Sequence, residues 1–79
     1  MEIRFFAGAA EAAGVDSLQI DAAGATAAGI VNRIGGGNDR LARVLAVSSL
    51  LADGVRVQSP DDDLSDVDTL DVLPPFAGG

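Results

Sequence analysis

The last six residues, Pro74-Pro75-Phe76-Ala77-Gly78-Gly79, are where residue types and spacing point to chemistry. Pro74 and Pro75 have no N–H to donate to a sheet ladder, so they stop whatever strand precedes them. Adjacent prolines also favour a stiff, extended backbone. The segment is expected to leave the body as a short arm of roughly 20 Å, long enough to enter a partner's pocket while the body stays outside. Gly78 and Gly79 leave no Cβ near the terminal carboxylate, so it fits a narrow tunnel and takes backbone angles closed to other residues. That carboxylate is ionised near neutral pH and resists nucleophilic attack. A mixed anhydride such as an acyl adenylate removes the resistance, and the adenylate can then receive sulfur as a thiocarboxylate. A Gly-Gly ending alone is also what a frayed terminus looks like. Pro-Pro-x-Ala-Gly-Gly directly after a strand is the more specific signal.

The composition closes other routes. The chain has no cysteine and no histidine. Disulfides, thiolate nucleophiles and thiolate ligands are thereby excluded, as are the usual general base near neutral pH and the commonest metal ligand. No metal site is expected, and any sulfur handled here is not carried on a side-chain thiol. The net charge of −7 repels phosphate backbones, so nucleic-acid binding is not expected. No apolar run approaches the ~18 residues that span a bilayer. Met1-Glu2-Ile3-Arg4 lacks the basic region and apolar stretch of a signal peptide. No membrane contact is expected, and the cytoplasm is the expected location. All five basic residues are arginines, which leaves Met1 as the only primary amine and offers an activated tail little to acylate within its own chain. A codon bias toward arginine and alanine explains that composition more plainly.

A chain of 79 residues is one domain. It buries only about 60% of its unfolded surface, so function belongs on the surface or at an end. Residues 2 to 7 read as a first strand with Ile3 and Phe5 on one side and Arg4 and Phe6 on the other. Residues 8 to 14 suit one or two helical turns, and 16 to 21 alternate as a half-buried strand. Thr26 is a reasonable N-cap for a helix whose Ala27, Ile30, Val31 and Ile34 share one face, with Gly29 inside it at up to ~1 kcal/mol relative to alanine. Gly35-Gly36-Gly37 ends it. That run lacks the Gly-Lys-Ser/Thr ending of a phosphate loop. Asn38 or Asp39 caps a short second helix that turns Leu41, Val44 and Leu45 inward. Val47 to Ala52 is read as a strand, Asp53-Gly54 as a two-residue hairpin turn, 55 to 57 as the returning strand, and 68 to 73 as the last strand with Leu70 and Val72 inward. The pattern supports an α+β fold with one mixed sheet of about five strands against one main helix.

The chain resembles the small subunit of molybdopterin synthase, the MoaD-like sulfur carriers of the ubiquitin-like MoaD/ThiS family. The carrying residues are Arg4-Phe5-Phe6-Ala7, Glu11 with Gly14, Asp53-Gly54, and Asp68 through Gly79. The resemblance implies a β-grasp domain over residues 1–73 and a functional tail over 74–79. It implies ATP-dependent adenylation of Gly79 by an E1-like adenylyltransferase, with ATP bound by that partner and no cofactor held by this chain. Sulfur from a donor protein then gives a thiocarboxylate, which the large catalytic subunit uses to convert cyclic pyranopterin monophosphate to molybdopterin. The chain acts as a sulfur-donating subunit and is not catalytic alone. Sulfur carriers for thiamine thiazole or cysteine synthesis share the fold and tail. A ubiquitin-like interaction module with an inert tail is the alternative of a different class. The sequence differs from the family at Ala10, where arginine is frequent, at Val67-Asp68, where Gly-Asp is frequent, and at Leu73, where an aromatic is frequent.

The out-of-core phase of Phe6 suggests a docking patch with Leu73, Pro74, Pro75, Phe76 and Ala77 beside Gly78-Gly79. The plainer expectation is that Phe6 packs under residues 8 to 14. Asp61, Asp62, Asp63, Asp66, Asp68 and Asp71 make the region before the tail acidic. That suits a solvated loop, or else steering toward a basic partner. The spacing does not suit an EF-hand.

Overall fold

The computed structural model describes residues 1–75. Its elements run β1 (Glu2–Phe5), α1 (Gly8–Ala13), β2 (Ser17–Gln19), α2 (Ala27–Gly35), α3 (Asp39–Val47), β3 (Ser49–Ala52), β4 (Val55–Arg56) and β5 (Thr69–Leu73). The sheet order is β2-β1-β5-β3-β4, with β1 and β5 parallel at the centre and the other pairs antiparallel. This is the mixed five-stranded sheet of a β-grasp fold, as expected.

The register follows from burial. Ile3, Phe5, Leu70 and Val72 alternate inward on the two central strands and are buried. Ile30, Leu41 and Leu45 meet them from α2 and α3. A slip of one residue would turn this apolar set to solvent. Alanines at 9, 12, 22 and 27 complete the core, and α3 packs against both α1 and α2. Gly35 lets α2 lie close to α3, because a Cβ there would be 3.3 Å from Leu45 Cδ1.

Helix α2 starts as expected, with the Thr26 hydroxyl accepting from Gly29 N at 3.2 Å. Ala27 N and Ala28 N donate to the carbonyls of Asp62 and Pro60, so the 60–64 loop satisfies two more of its first N–H groups. The loop inserts Leu64, which is 3% exposed and has no periodic neighbours to announce it in the sequence.

The helical layer is larger than expected, because α3 equals α2 at nine residues. Asn38 explains it: its Oδ1 accepts from Leu41 N at 3.0 Å, and its Nδ2 donates to Ala12 O at 2.9 Å. One side chain thus caps α3 and fastens it to α1. Helix α3 runs on through Val47, so Val47 is not in a strand and is exposed. The first strand stops at Phe5 because Ala7 turns to φ 50°, and Val57 lies just past β4, its N–H bonding Leu50 O. Asp53-Gly54 makes the expected hairpin turn, with φ 48° and 83°. Among the described residues, no helix is long and apolar enough to cross a membrane.

Candidate functional site

The helices cover one face of the sheet and leave the other open. Cross-strand register places Ser17, Arg4, Asp71, Leu51 and Arg56 in one outward row across all five strands. Leu73 and Ser49 lie one step nearer the end from which the tail departs. The row's centre is a bidentate pair: Arg4 Nε donates to Asp71 Oδ1 at 2.6 Å and Nη2 to Oδ2 at 2.8 Å. The hydrogen bond to Asp71 raises the Arg4 pKa further above its ordinary value, and burial opposes it only in part. Arg4 also lies 5.9 Å from the centroid of the Phe6 ring, within cation–π range.

The strand phase is as the alternation predicts. Phe5 is 4% exposed in the core, and Phe6 is 38% exposed, outside it. Phe6 N–H donates to Val72 O at 3.2 Å, which fixes Phe6 beside the last residues of β5. Leu73 is half-buried, Pro74 buried and Pro75 exposed. Pro74 therefore belongs to the body, and it offers a partner less surface than an arm beginning at residue 74 would. The prolines still follow the last ladder residue directly, as their missing N–H requires. Phe76, Ala77, Gly78 and Gly79, the remaining candidate residues, lie outside the described residues.

The acidic residues are not gathered at the tail. Asp68 precedes β5 at the end of the sheet away from Leu73, about 17 Å along the strand. Several carboxylates in this region organise the local backbone. Asp53 accepts from Asp68 N and Thr69 N, Asp62 from Gln58 N and Ser59 N, and Asp63 from Ser65 N. The Asp63–Ser65 hydrogen bonds lower the Asp63 pKa. Asp71 alone of the six faces the open sheet. Val67 keeps an ordinary backbone, so the left-handed turn that Gly-Asp would suit is absent before β5.

The Arg4–Asp71 pair and the anchoring role of Asp53 are not apparent from sequence reading. Both depend on which strands are neighbours. The available signal was weak: Arg4 and Asp71 each occupy the outward phase of an alternating strand. Among the described residues, no group of three or more His, Cys, Asp or Glu side chains is placed to hold a metal ion.

Comparison with solved structures returns close fold matches. SAMP1 from Haloferax volcanii is 27% identical with a TM-score of 0.80, covering 100% of this chain and 98% of that one. A Pyrococcus furiosus protein described as a molybdopterin converting factor, subunit 1, is 25% identical with a TM-score of 0.80, covering 95% of each chain. The HVO 2177 protein of Haloferax volcanii is 30% identical with a TM-score of 0.72, covering 99% of this chain and 84% of that one. Comparison with curated proteins finds no match. The ThiS family matches residues 3–79, a span that takes in both the sheet and the tail. With its β-grasp sheet and that match over nearly its whole length, the chain belongs to the ThiS family of ubiquitin-like sulfur carriers.

Proposed function

We propose that this chain is the sulfur-carrying subunit of a molybdopterin synthase. The Gly79 carboxylate attacks the α-phosphorus of ATP in the pocket of an E1-like adenylyltransferase, releasing pyrophosphate and forming an acyl adenylate. Hydrosulfide supplied by a donor protein adds at the carbonyl carbon, expels AMP and loses its proton, leaving a thiocarboxylate. The large synthase subunit then takes that sulfur into cyclic pyranopterin monophosphate, and the chain returns as a carboxylate. ATP and pterin are held by the partners.

The observation that carries the reading is the continuity of the central strand with the tail. Strand β5 is paired with β1 through Val72 and with β3 through Leu73, and the sequence then continues as Pro74-Pro75 to Gly78-Gly79. A rigid root on a tethered carboxylate is what entry into a narrow activating pocket requires. The family match includes these residues. The absence of cysteine leaves the terminal carboxyl as the group on which sulfur is carried. The likeness to the Pyrococcus furiosus converting factor favours molybdopterin over thiazole or cysteine synthesis.

The test is reconstitution. The intact chain, the adenylating enzyme, ATP and a sulfur donor should give a mass gain equal to one oxygen replaced by sulfur. The product, mixed with the large subunit and the pterin precursor, should yield the dithiolene. A chain lacking Gly79 should fold normally and do neither, since an exposed end contributes little burial. Thiocarboxylate formation without transfer to the pterin would move the assignment to another sulfur pathway. No pyrophosphate and no mass change would favour a non-catalytic interaction module.

A further inference from the structure

An acyl adenylate reacts with any accessible amine as well as with sulfur. The amine nitrogen attacks the carbonyl carbon, the bond to AMP breaks, the nitrogen loses a proton and an amide forms. A carrier activated in this way is lost whenever it acylates a neighbouring copy of itself or its own N-terminus. We propose that this chain is built as a non-acceptor, so that its activated end has no reactive amine among its own copies. The proposal rests on the activation of Gly79 proposed above.

Two independent observations carry it. First, all five basic residues are arginines, so no lysine amine exists on any surface of the fold. Arginine keeps the positive charge, but its guanidinium stays protonated and is no nucleophile near neutral pH. Second, the remaining amine is occupied. The Met1 ammonium donates to Ile20 O at 3.0 Å, and Ile20 N–H donates back to Met1 O at 3.0 Å. This reciprocal pair extends the β1–β2 ladder by one step beyond Glu2 and Gln19. Met1 is half-buried and its side chain packs against the core.

Geometry adds a third restraint. Glu2 pairs with Thr69 at the start of β5, whereas the tail departs after Leu73 at the other end of the strand. The amine therefore lies at the end of the sheet away from the tail's root. The serine and threonine hydroxyls are weak acceptors here, because no histidine is present to take their protons.

The test uses the full 79-residue chain and the variant Arg40→Lys. Arg40 lies on α3 with its side chain 66% exposed, so lysine there keeps the charge and supplies a free amine. In the first arm, both proteins are treated with N-hydroxysuccinimidyl acetate at neutral pH and followed by intact mass. Folded wild type should acetylate about tenfold more slowly than the same chain in urea, because the ammonium's hydrogen bond to Ile20 O must open. Folded Arg40→Lys should acetylate once, rapidly. In the second arm, both are incubated with the adenylating enzyme and ATP without a sulfur donor. Wild type should keep its monomer mass, while Arg40→Lys should accumulate a species of two chains less one water. Wild type that labels at Met1 as fast folded as unfolded, or that forms linked or cyclised chains, overturns the proposal. Pyrophosphate release reports activation separately. If none appears, the proposed function fails, and the labelling arm still decides whether the chain presents a reactive amine.

Discussion

Arg4 and Asp71, 67 residues apart in sequence, face each other directly across the parallel β1–β5 pair and share two hydrogen bonds on the open face of the sheet. Phe6 lies beside them within reach of the same guanidinium. A partner approaching the tail root meets a charge pair already satisfied within the chain, and beside it a half-exposed aromatic ring. Such a ring is the kind of side chain that anchors interfaces.

Phe5 and Phe6 should therefore separate stability from docking. Phe5→Ala is expected to lose about 3–5 kcal/mol in urea unfolding, as a buried phenylalanine does. Phe6→Ala should lose much less and should weaken binding to the large subunit by more than about 1 kcal/mol. Calorimetric titration and unfolding curves on both variants check this. Reversal of the pattern would mean that the docking surface lies on another face.

Asn38 is expected to act twice. Asn38→Asp keeps an oxygen for Leu41 N but removes the donor to Ala12 O, and should cost roughly 1 kcal/mol. Asn38→Ala removes both contacts and should cost about 2 kcal/mol. Equal losses in the two variants would show that the link to α1 contributes nothing.

Ala7 carries φ 50° and ψ −124°, while Phe6 O accepts from Ala9 N at 3.0 Å. This is a turn whose first central residue is ordinarily glycine. The chain places its glycine one position later, at Gly8. Ala7→Gly should remove strain of order 1–3 kcal/mol against a smaller gain in unfolded-state entropy. The urea midpoint should rise with unchanged slope. A fall in the midpoint would show that alanine is unstrained there.

The Asp63 carboxylate accepts from Ser65 N at 2.9 Å, and its pKa is lowered. A lowered folded pKa means the carboxylate stabilises the fold fully above the unfolded value. That stabilisation is lost as pH falls through the ordinary aspartate range to the lowered folded value. Asp63→Asn should be less stable than wild type at neutral pH, with a shallower decline in acid. Thermal melts across that range measure it, and identical acid limbs would refute it.

The sequence determined much of this molecule by local rules. Alternation set the inward phase of Ile3, Phe5, Leu70 and Val72, Thr26 started α2, Asp53-Gly54 set the hairpin, and the prolines ended the last strand. Each of these signals acts within a few residues, so no knowledge of neighbours was needed. The proposed tail chemistry rests on signals of the same local kind, the residue types from Pro74 to Gly79. Only the tertiary structure decided what rests on strand order and close packing. The parallel pairing of β1 with β5 brings Arg4 to Asp71 and Phe6 to the tail root, and alternation alone names no partner strand. Leu64 is buried because its loop returns to cover the start of α2, although it sits in no periodic pattern. Val47 left the expected strand because Asn38 anchors a longer α3, and Pro74, the first residue of the expected arm, is buried. These outcomes depend on contacts between segments distant in sequence, which one chain's local pattern does not encode.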